Sequence, residues 1–230
     1  MVVEAPQHAG LAPTLDYHCE RALSPGTLVR VPLGKRQVPG IVWDRADGAA
    51  PDASQIKPLG DVLDAVPPLP AAWRQLVAFA AGYYQRSVGE LALSVLPPEL
   101  RKLDAAQLAR RVARLSASPA TAHEDAAAPA LNTTQQAAVQ ALAAMIPGTT
   151  LLHGVTGSGK TEVYLQAAAA TLAAGRQVLV LVPEINLTPQ LEARFAARFA
   201  GHRMVSLHSA LTPAQRLKHW LSAHLGHADL

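Results

Sequence analysis

The chain has 230 residues, half of them apolar and 16% charged, with 20 basic and 17 acidic side chains for a net charge of +3. That balance is too even to argue for a polyanion partner by charge alone, and the single cysteine, Cys19, excludes an internal disulfide or a multi-cysteine zinc site within these residues. No apolar run approaches the roughly 18 residues of a membrane span, and no signal peptide is visible, so a soluble, cytoplasmic protein with no membrane partner is expected.

Residues 2–60 read as β-rich. Positions 26–32 alternate Leu28, Arg30 and Pro32 with Val29 and Val31, a turn follows at Gly34-Lys35-Arg36, and 38–43 reads as the return strand. Residues 15–18 form a plausible earlier strand, and 44–54 are polar and small enough for a loop. From 69 to 86 the period becomes helical, with Trp73, Leu76, Val77, Ala80 and Tyr84 on one stripe. On that spacing Trp73, Phe79, Tyr83 and Tyr84 are expected in a core rather than on a base-stacking surface. Ser87 and Glu90 spell a capping box for a short helix, which Pro97-Pro98 stops.

Residues 101–130 start with a basic segment carrying Arg110, Arg111 and Arg114, then become rich in Ala, Pro, Ser and Thr, as in a linker. Three segments follow from this reading: a domain over 1–100, a linker over 101–130 and a second domain over 131–230. The last segment holds 7 basic and 4 acidic residues, so any polyanion groove there would be local.

From 131 onward helical and strand patterns alternate. A helix over about 134–145 leads to a strand at 150–155, and a helix ending near Ala174 has Gly175 placed as its C′ residue. The apolar run 177–182 reads as a buried parallel strand. Thr188-Pro189 and Thr212-Pro213 each supply an N-cap and an N1 proline for a helix, with a strand at 203–207 between them. Such alternation implies an open parallel α/β sheet whose ligands sit at the carboxyl ends of the strands.

At the first of those ends lies LLHGVTGSGKT, residues 151–161. Gly154, Val155, Thr156, Gly157, Ser158, Gly159, Lys160 and Thr161 fit the phosphate-loop pattern. Glycines let the backbone take positive φ and approach an anion, and successive N–H groups then cradle it. Lys160 reaches the β- and γ-phosphates of ATP, the Thr161 hydroxyl suits Mg²⁺, and the helix that follows aims its positive end at the same place. Gln135 opens the preceding helix, and its amide matches the N6/N7 edge of adenine. Residues 182–190 put a polar loop and a helix start beside this edge, where backbone N–H groups can hold DNA phosphates. His219, His224 and His227 lack the carboxylate company of a metal site, and no nucleophile motif supports acyl transfer.

Four stretches, LNTTQQAAV, LLHGVTGSGKTEVYL, QVLVLVPEINLTPQ and LHSALTPAQR, strongly resemble the PriA family of primosomal replication-restart helicases. LDYHCERALSPGTLVRVPLGKRQVPGIVWD resembles that family's small domain for binding a DNA end. The resemblance implies an α/β architecture: a β-rich DNA-binding domain followed by a RecA-like lobe. It implies an ATP- and Mg²⁺-dependent 3′-to-5′ DNA helicase acting on abandoned replication forks. Its partners would be forked DNA with a nascent 3′ end, other primosome proteins and single-stranded-DNA-binding protein, and the chain itself is expected to be a monomer.

The same resemblance assigns adenine to Gln135, and the phosphates and Mg²⁺ to Lys160 and Thr161. DNA contacts fall to Pro183, Glu184, Thr188, Gln190, His208 and Ser209, and a 3′-end pocket to Asp16, Tyr17, Gly34 and Lys57. A carboxylate at Asp16 can accept from a 3′-OH, and Lys57 can neutralise the neighbouring phosphate. Leu15 stands where the family has Phe, and the family's winged helix is missing or vestigial at 101–130. The Asp-Glu-Glu-His segment, the zinc-binding cysteines and the second lobe with its arginine finger are not found in these residues. Zinc is therefore expected only further along the parent protein, and these residues alone are expected neither to unwind DNA nor to hydrolyse ATP appreciably. Two other classes share the motifs: a non-enzymatic module that binds DNA ends, and a P-loop phosphotransferase.

Overall fold

A computed structural model describes residues 1–4, 14–43, 56–116, 127–144, 148–182 and 189–230. The chain divides into two compact units. One takes Met1–Ser118 with Ser209–Leu225, and the other Pro119–His208 with Gly226–Leu230.

The first unit is built on a hairpin. β3 (Leu28–Leu33) and β4 (Arg36–Ile41) pair antiparallel with Leu33 opposite Arg36, so Gly34 and Lys35 make a two-residue turn. Such a turn needs positive φ, and Gly34 supplies φ 60°. β1 (Val2–Val3) adds antiparallel to the other edge of β4, giving the order β1-β4-β3. Beyond the free edge of β3 runs the segment 60–63, tied by Arg30 N–H to Asp61 O at 2.7 Å and Leu63 N–H to Leu28 O at 2.9 Å. β2 (Tyr17–His18) pairs parallel with β5 (Lys57–Pro58), which places Tyr17 opposite Lys57.

Alternation along these strands gives the sheet two apolar sides. Val3, Val29, Val31 and Val42 form one buried cluster. Val2, Leu28 and Ile41 face the larger core with α1 (Ala71–Tyr83), α2 (Val88–Ser94) and α3 (Ala105–Ser116). Ser87 caps α2 by accepting from Glu90 N–H at 3.2 Å. The expected reciprocal half of that capping box gives way to an ion pair, because the Glu90 carboxylate meets Arg86 at 3.0 Å one turn back.

Two expectations change here. The aromatics of α1 are not a core group: Phe79, Tyr83 and Tyr84 are 69%, 71% and 67% exposed, and only Trp73 packs inward, edge-on to Trp43. The helix buries Val77 and Ala81 instead, and Leu76 goes outward with Phe79. A helix touching its neighbours along a narrow seam buries fewer positions than its apolar stripe contains. Second, residues 105–116, inside the stretch read as a linker, are the helix α3. Leu108 is fully buried there with Val112 and Leu115 packed beside it at i+4 and i+7, while Arg110 and Arg114 face out. Asp104 and Gln107 cap it reciprocally at 2.7 and 3.2 Å.

α7 (Pro213–His224) completes this unit, with Leu217 and Leu221 in the same core and His224 within 3.0 Å of Pro67 O. The expected Thr212-Pro213 start is present as a full capping box with Gln215.

The second unit holds α4 (Thr133–Ala143), α5 (Lys160–Ala173) and α6 (Pro189–Arg198). Leu165, Ala168 and Leu172 of α5 pack on Phe195 of α6 and on Phe199. Gly175 takes φ 68° just after α5, as its place in the sequence predicts. The chain is thus mixed α/β, strands first and helices after. The strands expected at 150–155, 177–182 and 203–207 carry no ladder among the described residues. Val178 N–H donates to Asp229 O at 2.9 Å and Val205 N–H to Leu230 O at 2.9 Å, so the last residues lie between these two stretches. Leu151, Leu179 and Leu181 are 86%, 83% and 85% exposed, because a strand shaped for burial on both faces stays wet without a neighbour on each side. Among the described residues no helix is long and apolar enough to cross a membrane.

Candidate nucleotide site and DNA-end site

The phosphate-loop segment has the backbone that its glycines predict. Gly157 and Gly159 take φ 83° and 80°, and the loop closes with Ser158 N–H on Val155 O at 3.2 Å. Gly159 is also the N-cap of α5, so Lys160 and Thr161 are its first residues and its unpaired N–H groups face the loop. The Lys160 ammonium donates to Gly154 O at 2.6 Å and Val155 O at 2.8 Å. Those carbonyls hold the cation folded over the loop, where a phosphate oxygen would compete for it.

Gln135 lies within reach of this loop, but as a strut. Its Nε2 donates to Gly159 O at 3.2 Å. Its Oε1 accepts from Asn132 N–H at 2.9 Å, completing the capping box of α4. One amide proton and one lone pair remain for a base edge.

A cavity of about 910 Å³ opens at the loop. It is lined by Thr156, Gly157, Gly159, Lys160 and Thr161, by Glu162 and Tyr164 of α5, and by Arg194 and Arg198 of α6. This is the size range of small-molecule sites. The sequence reading missed both arginines and Glu162; the signal available for them was the i, i+4 spacing of Arg194 and Arg198 on one helix face.

In the first unit the 3′-end candidates converge. Tyr17 stands opposite Lys57 in the β2–β5 pair, and its hydroxyl donates to Pro32 O at 3.1 Å, two residues before Gly34. Burial raises the Tyr17 pKa above its ordinary 10.0. Asp16 and Lys57 are both exposed beside it. The Met1 ammonium is pushed below 8.0 by burial, which the Asp16 charge opposes, and it donates to Leu15 O at 2.6 Å.

Pro183, Glu184 and Thr188 lie outside the described residues, and Gln190 is in the first turn of α6. His208 is half-buried in the second unit, whereas Ser209 is exposed in the first, its carbonyl accepting from Arg216 at 3.3 Å. No group of metal-ligating side chains occurs among the described residues. Of the three histidines near the C-terminus, His224 stacks on Trp220 at 4.7 Å.

Residues 1–97 match the family described as the 3′DNA-binding domain (3′BD) of PriA, and residues 132–227 match the DEAD/DEAH box helicase family. The chain is similar to several proteins named replication restart protein PriA. It is 33% identical over 204 residues to the one from Rickettsia felis, covering 88% of this chain and 29% of that protein. It is 32% identical over 200 residues to the one from Treponema pallidum, covering 85% and 29%. Over 80 residues it is 55% identical to the one from Synechocystis sp., covering 35% and 10%. The chain therefore spans under a third of the length of these relatives.

Proposed function

As a member of the replication restart protein PriA family, this chain is, we propose, the DNA-end-binding and nucleotide-binding part of an ATP-dependent 3′-to-5′ DNA helicase that prepares stalled forks for primosome assembly. The observation that carries the reading is the loop from Gly154 to Thr161, with two positive-φ glycines, Lys160 and the start of α5 all turned on one cavity. Only a polyphosphate uses every part of that arrangement. Loop N–H groups and the α5 terminus take the anion's oxygens, and the Lys160 ammonium leaves two carbonyls for two phosphates. In this reading the Thr161 hydroxyl would hold Mg²⁺, which would neutralise charge on the transferred phosphate.

The DNA side rests on the Tyr17–Lys57 pairing beside the Gly34 turn. Lys57 offers a charge for a terminal phosphate, Asp16 an acceptor for a 3′-OH, and Gly34 a backbone that another chain can approach closely. In this reading the working partners are forked DNA, primosome proteins and single-stranded-DNA-binding protein, the chain acts as a monomer, and its place is the cytoplasm.

One binding experiment tests both halves. Titration of the chain with MgATP and, separately, with DNA ending in 3′-OH or 3′-phosphate should show Lys160→Ala losing nucleotide but keeping DNA. Asp16→Ala should show the converse, with the preference for 3′-OH erased. DNA binding without any nucleotide uptake would leave a non-enzymatic end-binding module. Nucleotide uptake with no DNA affinity would point to a phosphotransferase.

A further inference from the structure

Among the described residues, three cations and one carboxylate line the cavity at the phosphate loop: Lys160, Arg194, Arg198 and Glu162. Two of the cations already have partners. Lys160 donates to loop carbonyls, and Arg198 meets Glu162 at 3.5 Å, with side chains only 10% and 17% exposed. Glu162 is itself braced by Gln166 Nε2 at 3.1 Å, so this carboxylate is a fixed anchor in the first turn of α5. Arg194 is different. It is exposed at the cavity wall and has no hydrogen bond or ion pair among the described residues.

The spacing explains why it is there. Residues four apart on a helix share a face. The Arg198–Glu162 pair turns that face of α6 toward the first turn of α5, which carries Lys160 and Thr161, and Arg194 one turn earlier is thereby brought over the same cavity. Its guanidinium is planar, permanently charged and forked, the form suited to two oxygens of one phosphate.

Resting on the reading of the loop as an ATP site, we propose that Arg194 is a second phosphate-binding cation of this cavity. It takes the terminal phosphate of a nucleoside triphosphate, and the Arg198–Glu162 pair positions it. The loop amides and Lys160 hold the phosphate chain from one wall, and Arg194 closes on its free end from the α6 wall. ADP lacks that end and makes no use of Arg194.

The test compares MgATP and MgADP affinities by calorimetry on the whole chain. Arg194→Ala should lower the ATP-to-ADP affinity ratio about tenfold, the scale of one charge-assisted bidentate contact, with ADP binding within twofold of wild type. Arg194→Lys should fall between, keeping the charge and losing the fork. Glu162→Gln should shift the ratio the same way by freeing Arg198. Thermal unfolding of Arg194→Ala should match wild type, since an exposed side chain without partners carries little stability. An unchanged ratio in Arg194→Ala overturns the proposal while leaving the ATP site intact. A wild-type chain that binds neither nucleotide overturns the ATP site and this proposal together.

Discussion

Gln135 donates through Nε2 to the carbonyl of Gly159, 24 residues away, and an added Cβ on Gly159 would lie 2.2 Å from that same nitrogen. The start of α4 and the phosphate loop are therefore fitted to each other, and Gly159 is fixed twice: by its φ of 80° and by the amide packed against it. Gly159→Ala should abolish nucleotide binding. Adding Gln135→Ala should restore only part of it, because removing the amide relieves the clash and leaves the left-handed strain of about 1–2 kcal/mol. Calorimetry on the two single variants and the double variant measures this, and strictly additive losses would refute the coupling.

Gly89 and Gly82 both sit in helices of the first unit and should respond oppositely to alanine. A Cβ on Gly89 would lie 1.9 Å from the Val3 carbonyl oxygen, where α2 presses on β1, whereas a Cβ on Gly82 meets nothing within 4 Å. Gly89→Ala should cost about 3 kcal/mol or prevent folding, since the obstacle is backbone. Gly82→Ala should stabilise by roughly 0.5–1 kcal/mol. Urea midpoints decide between these outcomes and equal effects.

Leu217 on α7 is fully buried in the same core as Leu108 of α3. Leu217→Ala should cost about 2–5 kcal/mol. By contrast Phe79→Ser and Tyr83→Ser, at exposed positions of α1, should stay within about 0.5 kcal/mol of wild type. A loss at Tyr83 comparable with that at Leu217 would contradict the exposed placement.

Tyr17 gives a pH dependence of known sign. Burial raises its pKa above 10.0. The unfolded chain therefore loses this proton first, and the stability tied to Tyr17 is complete below pH 10 and is lost as pH rises through the folded value. Tyr17→Phe should flatten that alkaline limb and also remove the hydroxyl's contact with Pro32 O. Stability curves of both proteins from pH 8 to 11 test it, and parallel curves would refute it.

The hairpin of β3 and β4, the cap at Thr212 and the C′ glycine at 175 were legible because each is a short-range pattern. A two-residue turn, an oxygen three residues before an N–H and a residue free to take positive φ act within one turn of chain. Whether the α1 aromatics lie inside was not legible. Helical spacing says which residues share a face, and only the neighbouring elements say which face is covered. The Arg198–Glu162 pair escaped for a related reason, since its partners are on different helices and 36 residues apart.

The sequence by itself determined the phosphate loop and the mixed α/β class, because both follow from local backbone preferences and from the period of apolar residues. The tertiary structure alone decided three things. It fixed what Gln135 holds, it put α3 and α7 in one core, and it brought Arg194 to the cavity. Each depends on distant segments meeting, and that is set by which buried surfaces fit together rather than by any spacing along the chain.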